Sequence, residues 1–251
     1  MQPELDIGPI DLQTFGIFLA LAFIACGALM ARRLTELGKP PDWAYEALFA
    51  AVVGGVVGAR VDYLIQNWGR VSSDLAGALL SGAGLVFFGG LVGGAIGVAL
   101  WARWRGYLGL ALADAAAPAI ALGYTVGRIG CQVSGDGDYG VPSDLPWAMA
   151  YPDGAVPTLE VVHPTPVYET VAMGVVTLLL WRLRDRVRPG MLMALYLLIA
   201  GAERLLIELI RRNREVLAGL TVPQLVSVAM IVIAAAWIVR AGGVLRERQP
   251  A

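Results

Sequence analysis

Charge is scarce in this chain, and histidine and cysteine are scarcer. Of 251 residues only 16% are charged while 57% are hydrophobic, at a mean hydropathy of +0.66; a soluble domain carries roughly 25% charged residues. An ordinary soluble domain is thereby excluded. Two cysteines, Cys26 and Cys131, permit one disulfide, which would join the middle of a hydrophobic stretch to a polar loop, and nothing supports it. Neither a P-loop nor a dinucleotide fingerprint is present, so no cofactor is expected. The first hydrophobic stretch is preceded by Glu4, Asp6 and Asp11 and lacks the basic n-region of a cleavable signal peptide; it is expected to stay as a first helix. Without a linker, low-complexity tract or repeat, 1–251 reads as a single transmembrane domain. No nucleic-acid partner is expected.

What is abundant is apolar sequence in lengths that match a bilayer. Stretches near the roughly 20 residues needed to cross the hydrocarbon core lie at about 13–31, 44–66, 84–102, 108–126, 166–181, 190–209 and 222–240. They predict an all-α polytopic membrane protein of seven transmembrane helices. With the N-terminus outside, the cytoplasmic side carries Arg32, Arg33, Lys39, Arg103, Arg105, Arg182, Arg184, Arg186, Arg188, Arg240, Arg246 and Arg248, against Arg70, Arg128, Arg211, Arg212 and Arg214 outside. This asymmetry predicts an N-out topology with a cytoplasmic C-terminus. Gly54, Gly55 and Gly58 in one span, and Gly89, Gly90, Gly93, Gly94 and Gly97 in another, let helix backbones approach closely.

Polar residues concentrate in an extracytoplasmic loop placed at about 127–165, GRIGCQVSGDGDYGVPSDLPWAMAYPDGAVPTLEVVHPTP. Arg128 opens it, with Gly127 and Gly130 allowing close backbone approach to a ligand. A guanidinium fork pairs bidentately with phosphate and gains strength in a water-poor site; the structural alternative is an ion pair with Asp136 or Asp138. Those two acids depart from the EF-hand pattern at Gly140, so no metal site is expected, and a turn, a carboxylate holding Arg128 or a general base are the open readings. His163 and Glu169 sit where the chain re-enters the membrane. Arg204 and Glu208 share one helical face, four residues apart, as a self-neutralising pair, close to the basic run Arg211, Arg212, Arg214 on the side where such residues are disfavoured. That run suggests an anionic headgroup or phosphate partner. Arg60 either snorkels beside Asp62 or serves a ligand.

Taken in order, GARVDY, FFGGLVGG, GRIG with its acidic Gly loop, PSDLPWAM, HPTPVYE and RLLIE followed by GLTVPQLVS resemble the bacterial prolipoprotein diacylglyceryl transferase family along most of the chain. The resemblance implies seven transmembrane helices with the N-terminus outside. It also implies transfer of the diacylglyceryl group of phosphatidylglycerol to the lipobox cysteine of a prolipoprotein, with release of glycerol phosphate. The partners would then be phosphatidylglycerol, the prolipoprotein signal peptide with its lipobox, and membrane lipids. By position, Arg128 matches the signature arginine and Arg204 with Glu208 the Arg-x-x-x-Glu of the penultimate helix; both arginines would hold the phosphate. Arg60 matches the helix-two arginine, a headgroup or structural partner, and Gly127, Gly130, His163 and Glu169 would line the substrate site.

Several polar family positions are changed. Cys131, Gln132, Ser134 and Asp136 stand in place of the usual Asn-Phe, second Asn and Glu; Phe88 replaces the histidine often proposed to activate the thiol; Phe15 replaces a tyrosine. Asp136, Asp138 or Glu208 would then serve as base. The alternatives are a catalytically silent or altered-specificity phospholipid or lipoprotein binder, and a reaction in which Cys131 itself is the nucleophile, activated by Arg128.

Overall fold

The computed structural model describes every residue except 8–9, 72–85, 214, 218 and 246–251. Arg214, Arg246, Arg248 and the first residues of the expected 84–102 stretch lie outside the described residues. Each of the seven expected stretches contains a helix: α1 (Thr14–Glu36), α2 (Asp42–Gln66), α4 (Phe87–Trp104), α5 (Leu110–Ser134), α6 (Thr165–Leu183), α7 (Met191–Glu208) and α8 (Val222–Arg240), with a single turn, α3 (Trp68–Val71), after α2. By length and composition α1, α2, α5, α6 and α8 can each cross a membrane. The apolar helix α4 is shorter, and α7 carries Glu203, Arg204 and Glu208.

The architecture is helical, as the hydropathy predicts, and three two-stranded antiparallel hairpins occupy the polar connections: β1 (Glu4–Ile7) with β2 (Ile10–Gln13), β3 (Met149–Tyr151) with β4 (Thr158–Val162), and β5 (Glu215–Leu217) with β6 (Leu220–Thr221). Backbone groups outside the helices still need partners, and pairing two short segments supplies them. One expectation is corrected: the loop does not begin at Gly127. Helix α5 continues through Ser134 and stops where Gly135 takes a φ of 61°, a left-handed conformation that glycine adopts at little cost. Arg128 therefore sits on a helix, not on a loop.

By contact, the described residues form two compact units, Met1–Met30 with Ala113–Ala251, and Ala31–Leu112. In the second unit, α2 and α4 meet along their glycines. A Cβ on Gly58 would lie 2.7 Å from the Cα of Gly93, and one on Gly54 would lie 3.1 Å from the Cα of Gly97, so small residues make this approach possible. At one end of the pair Glu46 accepts from Arg105 Nε at 2.8 Å, Arg105 Nη2 at 2.5 Å and Trp101 Nε1 at 2.9 Å. A cavity of about 900 Å³ is lined by α2 and α4, almost wholly by apolar side chains and glycine, with Asp62 and Phe88 among them.

In the first unit the core is built by Met173, Val176 and Leu180 of α6, Met191, Leu192 and Ala194 of α7, and Ala117 and Ala121 of α5. Asp114, an acid inside an apolar stretch, is explained here. Its carboxylate accepts from the backbone N–H groups of Gly190 (2.6 Å), Leu192 (3.0 Å) and Met193 (3.2 Å), which are the unpaired donors at the start of α7. Removing a carboxylate with such bonds costs about 2 kcal/mol. Asp114→Ala is therefore expected to lower the thermal midpoint measured in detergent, with Asp114→Asn less affected. At the far end of this unit Thr221 and Gln224 form a reciprocal capping box that starts α8, the arrangement expected where a polar turn hands over to an apolar helix.

Candidate functional site

Glu169, in the second turn of α6, is fully buried and collects charges from three other segments. Its Oε1 accepts from Tyr124 Oη of α5 at 2.6 Å and from Arg204 Nη1 of α7 at 3.0 Å, and lies 3.2 Å from Arg128 Nη2 of α5. Its Oε2 lies 3.8 Å from Arg211 Nη1. Arg128 and Arg204, 76 positions apart in the chain, thus share one acceptor atom. A carboxylate with no exposure is tolerated in an apolar setting only when paired and hydrogen-bonded, and these cations are what pair it.

Two of these arginines, Arg128 and Arg211, are also held by the loop. Asp138 ion-pairs with Arg128 through Oδ2 and with Arg211 through Oδ1. Its position follows from backbone pairing: Gly140 N–H donates to the His163 carbonyl at 2.8 Å, Val141 N–H to the Ile210 carbonyl at 2.8 Å, and His163 N–H to the Val141 carbonyl at 3.1 Å. Thr165 Oγ1 donates to the Asp138 carbonyl. Gly140 is required in this sandwich, since a Cβ there would fall 2.6 Å from the Ile210 carbonyl oxygen and 3.0 Å from the Cβ of His163. Burial opposes ionisation of Asp138, but Arg128 and Arg211 outweigh it and hold the carboxyl below the usual aspartate range. Burial instead pushes Asp136 up, only partly offset by its bonds with Cys131 and the Asp138 N–H.

Glu208 pairs with Arg204 at 3.3 Å, the i,i+4 contact expected from the sequence. Its Oε1 also accepts from Thr221 Oγ1 at 2.6 Å and Asn213 Nδ2 at 2.8 Å. Arg128, Arg204, Glu208, Asp138 and Glu169 therefore form one connected network, to which the structure adds Arg211 and Tyr124. Arg211 belonged to the basic run noted in the sequence, whereas nothing in the sequence singled out Tyr124, whose ring lies 5.0 Å beneath the Arg128 guanidinium. Arg211 Nη1 is buried without a hydrogen-bond acceptor among the described residues.

Other expected residues are placed differently. Gly130 does not open space for a ligand: a Cβ on it would lie 2.6 Å from the Cβ of Phe18, so α1 takes up that space. Gly127 has nothing within 4 Å of the Cβ it lacks. His163 is fixed by its backbone bonds and by a 3.3 Å contact from Nδ1 to Tyr168 Oη. Arg60 belongs to the second unit, where its guanidinium lies 5.8 Å from the Tyr63 ring centroid. Cys26 and Cys131 are free thiols, and Cys131 Sγ is buried 3.7 Å from Arg128 Nη1. Cys131, Asp136 and Asp138 bring potential metal-ligand atoms within 4.8 Å of one another, but both oxygens of Asp138 already serve guanidinium cations, which disfavours a divalent ion there.

Comparison with known proteins finds relatives along nearly the whole chain. The family described as prolipoprotein diacylglyceryl transferase matches residues 4–240. A phosphatidylglycerol–prolipoprotein diacylglyceryl transferase of Chromohalobacter salexigens is 34% identical over 242 residues, covering 91% of this chain and 89% of the relative. One of Bordetella avium is 33% identical over 238 residues, covering 90% and 89%. One of Clostridium tetani is 27% identical over 237 residues, covering 93% and 95%. The chain belongs to the prolipoprotein diacylglyceryl transferase family.

Proposed function

We propose that this protein transfers the diacylglyceryl group of phosphatidylglycerol to the lipobox cysteine thiol of a prolipoprotein, forming a thioether and releasing glycerol phosphate. The observation that carries the reading is the shared acceptor: Arg128 and Arg204, from separate helices, meet on one oxygen of buried Glu169, with Arg211 beside them. Attack by sulfur on the glyceryl carbon breaks that carbon's bond to a phosphate oxygen, so negative charge grows on the leaving phosphate. Guanidinium groups already oriented by carboxylates stabilise that charge without reorganising. Each guanidinium has five N–H donors, more than Glu169, Glu208 and Asp138 occupy, and Nη1 of Arg211, which makes no hydrogen bond among the described residues, is one donor left for a phosphate oxygen. The side chains are 15% exposed at Arg128, 20% at Arg204 and 9% at Arg211, so a headgroup reaches them from one side while burial keeps bulk water from screening them.

The asymmetry of the basic residues supports a reaction on the outer face of a bacterial inner membrane, by a chain with seven spans, the N-terminus outside and the C-terminus in the cytoplasm. Arg60, Gly127 and His163 serve in this reading as secondary contacts to headgroup or peptide, and surrounding membrane lipids supply the donor. The test is transfer by purified protein from labelled phosphatidylglycerol to a lipobox peptide in liposomes. A thioether product with equimolar glycerol phosphate is expected; phosphatidylglycerol that binds and stays intact would leave a binding protein instead.

A further inference from the structure

The reaction needs a group to take the thiol proton, and the carboxylates that hold the arginines are poor candidates. Asp138 spends both oxygens on Arg128 and Arg211. Glu169 is bonded to Tyr124 and Arg204 and faces Arg128 and Arg211. Glu208 serves Arg204, Asn213 and Thr221. Protonating any of them would leave a buried guanidinium uncompensated. The histidine that the family resemblance leads one to expect is Phe88 in this sequence.

Glu203 differs from all three in having no ion pair among the described residues. It precedes Arg204 on α7, and its Oε1, like Oε2 of Glu169 and of Glu208, is buried with no hydrogen-bond partner among the described residues. No described cation lies within ion-pairing distance of it, yet it feels the charges of Glu169, Arg204 and Arg128 and acts in turn on Tyr124 and Tyr196. A buried carboxyl oxygen without a partner is unfavourable. It persists where the group exchanges a proton or meets a partner that arrives with the substrate. The residue as a whole is only partly buried, so a thiol can approach it.

We propose that Glu203 is a further catalytic residue, the general base that deprotonates the acceptor cysteine. The inference rests on the transferase reading above. The thiol S–H proton passes to a Glu203 carboxylate oxygen; the sulfur lone pair then forms the bond to the glyceryl methylene carbon. The electron pair of the breaking carbon–oxygen bond leaves with glycerol phosphate beside Arg128 and Arg204, and Glu203 returns its proton to water.

The experiment compares wild type, Glu203→Gln and Glu203→Asp with two lipobox peptides that differ only in cysteine or selenocysteine at the acceptor position, in phosphatidylglycerol liposomes at pH 7. A selenol is ionised there without help. Glu203→Gln is expected to slow transfer to the cysteine peptide by roughly 100-fold, the usual worth of a positioned base, and transfer to the selenocysteine peptide by less than about threefold. Glu203→Asp is expected to retain measurable transfer to cysteine. Residual Glu203→Gln activity on cysteine should rise about tenfold per pH unit between pH 6 and 8 as free thiolate accumulates. Equal slowing on both peptides, or wild-type transfer to cysteine by Glu203→Gln, would overturn the assignment to Glu203 alone. Wild type inactive on both peptides would instead overturn the transferase reading on which it rests.

Discussion

Alanine at Arg128 or at Arg204 is expected to lower diacylglyceryl transfer by about 10³-fold or more, the range seen when a guanidinium that stabilises a departing phosphate is removed. Both side chains touch the same oxygen of Glu169, so each loss also leaves that carboxylate with one cation fewer. Lysine is an instructive comparison. It preserves the charge but not the planar fork that can meet a carboxylate and a phosphate at once, so Arg204→Lys should recover only part of the activity. Initial rates of peptide lipidation, normalised to folded protein, measure both. Rates within a factor of two of wild type for either alanine variant would remove that arginine from the chemistry.

Replacing Glu169 is expected to be damaging in a second way. Among the described residues it is the one fully buried carboxylate facing Arg128, Arg204 and Arg211 together. Breaking a buried ion network by removing one partner costs about 3–5 kcal/mol, because the remaining charges are left without compensation. Glu169→Gln should therefore lower the thermal midpoint in detergent and abolish transfer, although glutamine can still accept from Tyr124. Glu169→Asp keeps the charge but shortens the reach, and should lose activity with a smaller loss of stability. A Glu169→Gln protein as stable and as active as wild type would show that the arginines do not depend on this carboxylate for their position.

Local chemistry was legible in the sequence; the meeting of distant segments was not. Hydropathy located α1, α2 and α4 to α8 because each helix satisfies its own backbone and each needs the same apolar length. The Arg204–Glu208 pair was legible because four residues is one helical turn, and the alternative of an Arg128–Asp138 ion pair was readable from their proximity in the chain. Glu169 was singled out only by its motif. That it gathers Arg128, Arg204 and Arg211 depends on how α5, α6 and α7 pack in the first unit, which no spacing encodes. Nor could sequence show that the loop would start at Gly135: the apolar run ends earlier, but polar Gln132 and Ser134 are compatible with two more helical turns. Nor does the sequence single out Glu203: it stands beside Arg204 in the chain, but on a helix adjacent residues point about 100° apart, so adjacency does not tell whether the two pair.

The central claim is that guanidinium groups from separate helices grip one phospholipid phosphate. Its most direct test is a cryo-EM map of the protein in nanodiscs of phosphatidylglycerol. The account predicts a headgroup phosphate within about 3.5 Å of guanidinium nitrogens of Arg128 and Arg204, hydrogen-bonding distance for a charge-assisted contact. A phosphate seated elsewhere, with Arg128 and Arg204 still engaged only by Glu169, Glu208 and Asp138, would contradict it.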